Sequence, residues 1–200
     1  GKLFTIHNGI KLPKTKPANG TQRKENFILY LGRLSPTKNV AGLVNAYRKI
    51  ADQVPHKLVI AGSGDIESLK KGDPGGPGTV EFVGYVSDEE VDRLLSTAAL
   101  FVFPSFYEGF GFPPLEAMAR GCPVVVSNVA SLPEICGEAA LYVNPRSEDS
   151  IADAMVKVIS DESIRKNLIQ NGYERVKEFT WQRSADKHLK VFDFVQTGMK

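Results

Sequence analysis

An α/β fold, with a parallel sheet covered by helices on both faces, is predicted by three features of this sequence. Short β-prone apolar runs alternate with stretches whose apolar residues recur at helical spacing. The runs are brief and bounded by turn residues. Several of them end in glycine-bearing loops that lead into helical stretches. In such sheets ligands bind in the crevice beyond the carboxyl ends of the strands, so the loops after each strand are where chemistry is expected.

In chain order, Leu3–His7 is short and β-prone, and residues 11–25, rich in Lys, Pro, Asn and Thr, read as a loop. Phe27–Leu31 is a buried strand. Asn39–Ala51 places Val40, Leu43, Val44, Tyr47 and Ile50 at helical spacing. Lys57–Ala61 is the next strand, and Thr79–Val83 follows a Gly/Pro-rich loop at Gly72–Gly78. Ser87 with Glu90 three residues on is a capping-box signal, starting a helix that runs to about Thr97. Leu100–Phe103 and Pro123–Val126 are strands flanking a helix near Pro114–Arg120. Ala139–Val143 is the last strand, and two or three helices follow from Ser147. In the final helix Trp181, Ala185, Leu189, Phe192 and Val195 share one face, for which core packing is the default expectation.

Composition excludes several classes. Hydrophobic residues at 42% and charged residues at 24% are ordinary for a globular chain. A net charge of +2, from 25 basic and 23 acidic side chains, supports neither a nucleic-acid stripe nor a polybasic membrane patch. Cys122 and Cys136 are too few for a disulfide framework and read as buried thiols of a reducing cytosol. The longest apolar run, Ala98–Phe103, is too short to span a bilayer. The opening on a β-prone run, without a signal-peptide core, suggests a longer parent chain.

Four loops could carry chemistry. Gly32-Arg33-Leu34-Ser35-Pro36-Thr37-Lys38-Asn39 puts two cations at a helix N-terminus, where free N–H groups and the helix dipole favour an anion. Read alone, it is equally a solvated turn. Gly62-Ser63-Gly64-Asp65 would let a phosphate or sugar approach the backbone, or serve only as a tight turn. It is no dinucleotide fingerprint, because Glu67 stands at the third glycine position. Gly84-Tyr85-Val86 could offer backbone groups to a base edge. The sharpest signal is the run from Pro104 to Glu116. Gly109 and Gly111 leave the backbone bare, Pro114 suits a first helical turn, and the N–H groups around Phe110, Gly111 and Phe112 are open to an anion or hydroxyl. Glu108 and Glu116 flank this turn eight positions apart, able to grip different parts of one extended ligand.

These residues resemble glycosyltransferase family 4, enzymes of the two-domain B-type fold. EGFGFPPLEAMARGCPVV is joined by GRLSPTKN, VIAGSGD and VEFVGYVSDEEV in the family's order and spacing, and the likeness runs from His7-Asn8-Gly9-Ile10 to the final helix. One departure is Asn39, where the family often has glycine. The resemblance implies a Rossmann-like doubly wound sheet, the C-terminal half of such an enzyme. Residues 1–200 would form one donor-binding domain: a leading strand and loop to about 25, a core over 26–180, and a crossover helix over 181–200. The acceptor domain would precede it, bringing a catalytic histidine that His7 does not match.

By the same resemblance, Arg33 and Lys38, with Gly32, would bind the donor diphosphate and stabilise its charge as it leaves. Glu116 would hold the ribose. Glu108, with the amides of Phe110, Gly111 and Phe112, would hold the transferred sugar and the phosphates. Gly62, Gly109 and Leu115 would line the site, and Tyr85 and Val86 would border the base. No metal is implied, and no Asp-x-Asp motif occurs. The donor would be a nucleotide sugar, GDP-mannose first and UDP-glucose or another UDP-sugar second. The acceptor would be a glycan or lipid-linked glycan, reached through the other domain. The enzyme would be cytoplasmic and retaining, its full-length form able to associate peripherally with the inner face of the plasma membrane. A binding module that never catalyses transfer, and an NAD-dependent oxidoreductase of similar topology, are the competing classes. The absent G-x-G-x-x-G argues against the latter.

Overall fold

In the computed structural model, which describes residues 2–13, 25–70 and 79–197, six parallel strands form one sheet among the described residues. They are β1 (Glu25–Leu31), β2 (Lys57–Ala61), β3 (Val80–Gly84), β4 (Ala98–Phe103), β5 (Val124–Ser127) and β6 (Leu141–Val143), in the spatial order β3-β2-β1-β4-β5-β6. β1 lies at the centre, hydrogen-bonded to β2 on one side and β4 on the other. Ile28, Leu29 and Tyr30 on β1, like Phe101 and Val102 on β4, are wholly buried. Burial on both faces is what continuous apolar runs require, and it selects a parallel sheet between helical layers.

The helices are α1 (Val40–Arg48), α2 (Ile66–Lys70), α3 (Asp88–Thr97), α4 (Phe112–Ala119), α5 (Leu132–Cys136), α6 (Glu148–Ser160), α7 (Glu162–Val176) and α8 (Trp181–Thr197). Their starts follow from side-chain caps. Ser87 accepts from the Glu90 N–H, Ser147 from the Ser150 N–H, and Asp161 from the N–H groups of Ser163 and Ile164. The capping box at Ser87 is only half built, since the Glu90 carboxylate pairs with Arg93 instead.

Three expectations need correction. Leu3–His7 is not a strand but runs outside the sheet, with Phe4 edge-on to Phe194 at 5.3 Å and the Ile10 N–H bonded to the Phe179 carbonyl at 2.8 Å. The side chains of this segment are taken up by aromatic contacts with the C-terminal part of the chain, Phe4 on Phe194 and His7 on Phe179, instead of by a neighbouring strand. The last strand begins at Leu141, because Gly137–Ala139 winds into a turn of 3-10 helix. The apolar face of α8 is not core: Trp181, Leu189 and Phe192 are 57–59% exposed, and Ser184 is the buried residue of this helix. The loops expected over 11–25 and 72–78 lie mostly outside the described residues. Both cysteines are buried and neither forms a disulfide among the described residues, and burial pushes the Cys136 thiol up to about 12, which leaves it inert.

Candidate functional site

The strand order reverses direction between β1 and β4, and the crevice at that point lies between the loops that leave these two strands. The loops are tied directly, because the Phe106 N–H donates to the Thr37 carbonyl at 2.8 Å. They are tied again by Asn39. Its backbone is left-handed, at φ 55°, a conformation that glycine takes freely and that asparagine is among the few side-chain-bearing residues to take readily. Its buried amide donates to the carbonyls of Pro104 (3.1 Å) and Pro145 (2.7 Å).

Lys38 and Glu108 face each other across this crevice, Nζ to Oε1 at 2.6 Å, with side chains 24% and 10% exposed. The ammonium also lies 5.6 Å from the centre of the Phe103 ring. Arg33 differs. It is exposed, and among the described residues no carboxylate lies within ion-pairing distance of it. Beneath both, Tyr30 stacks on Phe103 and donates its hydroxyl to the Arg33 carbonyl at 3.0 Å, fixing the turn that carries the arginine. Burial, and secondly the charge of Glu108, raises the Tyr30 pKa, so the phenol stays protonated and remains a donor.

Arg33 opens onto a cleft of about 550 Å³ formed by the loops after β1, β2 and β3, with Gly32, Gly62, Tyr85, Val86, Asp88 and Pro113 among its lining. The three loops are laced edge to edge. Gly32 N–H reaches the Ala61 carbonyl (3.0 Å), Leu34 N–H the Ser63 carbonyl (2.8 Å), and Gly62 N–H the Gly84 carbonyl (2.7 Å). Tyr85 projects almost free of the protein, at 84% exposure. Beside it, on the first turn of α3, stands the Asp88 carboxylate. Glu116, one turn into α4, is partly buried. Its pKa is raised, chiefly by loss of water, with Asp92 and Asp88 adding repulsion and Arg120 opposing it. Arg120 spends its guanidinium on Asp92 and on the Glu116 carbonyl, and not on the Glu116 carboxylate. Among the described residues no donor reaches the Glu116 carboxylate, and a carboxylate in a partly dry site is poised to accept from ligand hydroxyls.

The turn between the glutamates is held from outside. Ser131 donates to the carbonyls of Glu108 (3.0 Å) and Phe110 (2.7 Å), a bifurcated tie. Gly111 caps α4 at φ 124°, and Pro113 and Pro114 have no N–H. The amides of Phe110, Gly111 and Phe112 donate to no backbone carbonyl among the described residues. A Cβ on Gly109 would meet nothing within 4 Å. The structure therefore brings Gly32, Arg33, Gly62, Tyr85 and Val86 to one cleft and pairs Lys38 with Glu108. Leu115 stands apart, with its side chain fully buried in the core and its N–H closing on the Gly111 carbonyl. Tyr30, Asp88 and Ser131 escaped sequence reasoning. Only their positions one strand-end or one cap away from the motifs could have flagged them.

Among the described residues no three His, Cys, Asp or Glu side chains gather to hold a metal ion, and no helix is long and apolar enough to cross a membrane.

Residues 13–175 match the family model described as glycosyl transferases group 1. An O-antigen chain mannosyltransferase B from Escherichia coli is 35% identical over 84% of this chain and 46% of its own length. A sucrose-phosphate synthase structure from Thermosynechococcus elongatus superposes with a TM-score of 0.79 at 29% identity, covering 96% of this chain and 52% of the other. A structure of the C-terminal domain of a glycosyl transferase group 1 family protein from Francisella tularensis matches at 27% identity and TM-score 0.68, over 78% of this chain and 86% of that domain. The chain spans about half the length of the curated relatives it matches, 46–48% of the first two. With the family model matched over residues 13–175 and a relative 35% identical over 84% of this chain, the chain belongs to the glycosyl transferases group 1 family.

Proposed function

We propose that this chain is the donor-binding half of a retaining, family 4 glycosyltransferase that moves a hexose, mannose by preference, from a nucleotide sugar to a glycan or lipid-linked acceptor. The observation that carries this reading is the layout of charge at the reversal of the sheet. Lys38 pairs with Glu108 next to amides that no backbone carbonyl among the described residues engages, Arg33 and Asp88 line one cleft, and the partly buried carboxylate of Glu116 lies close enough to feel the charge of Asp88. A nucleotide sugar carries groups to match. Its diphosphate suits Arg33, Lys38 and the amides of Phe110–Phe112, and its ribose hydroxyls suit Glu116. Its transferred sugar suits Glu108.

Breaking the sugar–phosphate bond leaves positive charge on the sugar and negative charge on the diphosphate. Fixed cations and amides aimed at the leaving oxygens lower that barrier. Glu108 is assigned to orient the sugar and not to attack it, and retention would follow from reaction on the leaving-group face. The acceptor would come from a preceding domain, so this chain alone would transfer no sugar, its reactants being neither aligned nor shielded from water.

Guanine is favoured over uracil by Asp88. A carboxylate accepts from two adjacent N–H groups of guanine, whereas uracil presents one N–H between two carbonyls that would face the negative charge. The mannosyltransferase relative supports mannose as the sugar transferred. Melting curves with GDP, UDP, dTDP and NAD test this. At one hundred times its dissociation constant a ligand stabilises by roughly 2.7 kcal/mol, or about 5–10 °C for a chain this long. GDP should give the largest shift, and Arg33→Ala should shrink it. A shift with NAD alone would instead favour a dehydrogenase, and no shift with any nucleotide at millimolar concentration would end the donor reading.

A further inference from the structure

The two cations of the site stand in different states. Arg33 is exposed and has no carboxylate partner among the described residues, while Lys38 is engaged by Glu108 at 2.6 Å. The engagement is built into the fold. Lys38 ends a turn whose N–H is fixed to the Ser35 carbonyl at 2.9 Å, and it is followed by Asn39, fastened to two further loops. Glu108 is held at its carbonyl by Ser131 and is nearly buried. Exposed ion pairs on long free side chains contribute little, but this one joins two restrained loops in a partly dry crevice.

Taking the donor-site reading above as its basis, we infer that the Lys38–Glu108 pair is a latch that sets the site against a bare nucleoside diphosphate and in favour of the intact nucleotide sugar. A diphosphate arriving alone finds Arg33 and the amides ready. For Lys38, however, it must compete with a carboxylate whose own charge repels it. An intact donor brings sugar hydroxyls that donate to the Glu108 oxygens. The carboxylate then has a second set of partners, and Lys38 turns its N–H groups to the phosphates without leaving Glu108 unpaired. Once the sugar has left, Glu108 recovers Lys38 and the diphosphate loses a cation. The same pair thus admits donor and helps expel product, with Glu108 the residue that distinguishes the two and Ser131 its positioning residue.

Titration calorimetry of the whole chain with GDP and GDP-mannose tests this, with UDP and UDP-glucose run in parallel to cover the other base. In the wild type the sugar nucleotide should bind more tightly than the diphosphate. Glu108→Gln should tighten the diphosphate by about ten-fold, the worth of one charge-assisted hydrogen bond, while the sugar nucleotide gains nothing, so the preference collapses. Lys38→Ala in the Glu108→Gln background should remove the gain. Ser131→Ala should move the preference in the same direction by less, with melting curves confirming that each variant is folded. If Glu108→Gln leaves diphosphate affinity unchanged or weakens it, the latch is wrong although the donor site stands. If the wild-type chain binds none of the four ligands, the donor reading fails and the latch with it.

Discussion

Two glycine-x-glycine turns leave the carboxyl end of the sheet, and in them glycine does opposite work. Gly62-Ser63-Gly64, after β2, is closed by protein. A Cβ on Gly62 would sit 1.8 Å from the Gly32 carbonyl oxygen, and one on Gly64 would sit 2.3 Å from the Leu34 carbonyl oxygen. These glycines let neighbouring strand-end loops pair with each other. In Gly109-Phe110-Gly111, after β4, Gly111 is needed for its backbone angle at the start of α4, but Gly109 has an ordinary angle and empty space around its Cβ position. Nothing in the protein asks for a glycine there. The same three-letter pattern therefore builds a wall of the site in one loop and leaves room in the other.

The largest expected effect falls on the wall. Gly62→Ala forces a carbon into a backbone oxygen at a φ of 147°, and should cost roughly 3 kcal/mol or more, lowering the melting temperature by about 6–12 °C. A variant that melts like the wild type would mean the loops can part, and would erase the contrast.

A smaller effect of opposite sign is expected in the helix that the second turn begins. Glu116 has a raised pKa because burial disfavours its charge. The folded state therefore holds the proton more tightly than the unfolded state, and the charge destabilises the fold at pH values above the folded pKa. Glu116→Gln should raise the melting temperature at pH 7. That gain should fade as the pH falls through the raised pKa of Glu116 toward the usual carboxylate range, where the wild type is itself protonated. Paired thermal scans across pH check this. A loss of stability at pH 7 would show that the carboxylate is already satisfied by the protein.

The smallest effect on stability, with the contrast at its sharpest, belongs to Gly109→Ala. Its unfolding free energy should stay within about 0.5 kcal/mol of the wild type. Its affinity for a sugar nucleotide should nonetheless drop, because the methyl group enters the space left open beside Glu108. Chemical denaturation and calorimetry on one preparation decide the matter, and a variant destabilised as badly as Gly62→Ala would make the two turns alike.

Much of the fold was legible because its strands are apolar on both faces and its longer helices carry caps. Ile28, Leu29 and Tyr30 leave β1 nowhere to go but the centre, and Ser87 and Ser147 announce helices by residue type. The five-residue helices α2 and α5 were not legible, since one turn carries too little period to read. Leu3–His7 misled because β-propensity says nothing about whether an edge is free to pair. In the site, the cations, the bare turn and both glutamates stood out by their chemistry. Ser131 and Tyr30 did not, because each acts on a backbone carbonyl through a contact that only the folded chain creates. Spacing could place Lys38 and Glu108 in neighbouring loops, but not tell that they would neutralise each other.

The ties that Asn39 makes also bear on how the molecule comes into being. Its two carbonyl partners lie 65 and 106 residues further along the chain, and the carboxylate facing its neighbour Lys38 lies 70 residues on. Closing loops of that size costs chain entropy long before the contacts repay it, so such contacts form late in folding. A chain that has emerged only as far as α4 already contains every cation and carboxylate of the crevice. It still lacks Ser131 to hold the turn and Pro145 to hold Asn39. The ties that shape the crevice are therefore complete only once the chain has been made through β6, the last strand of the sheet.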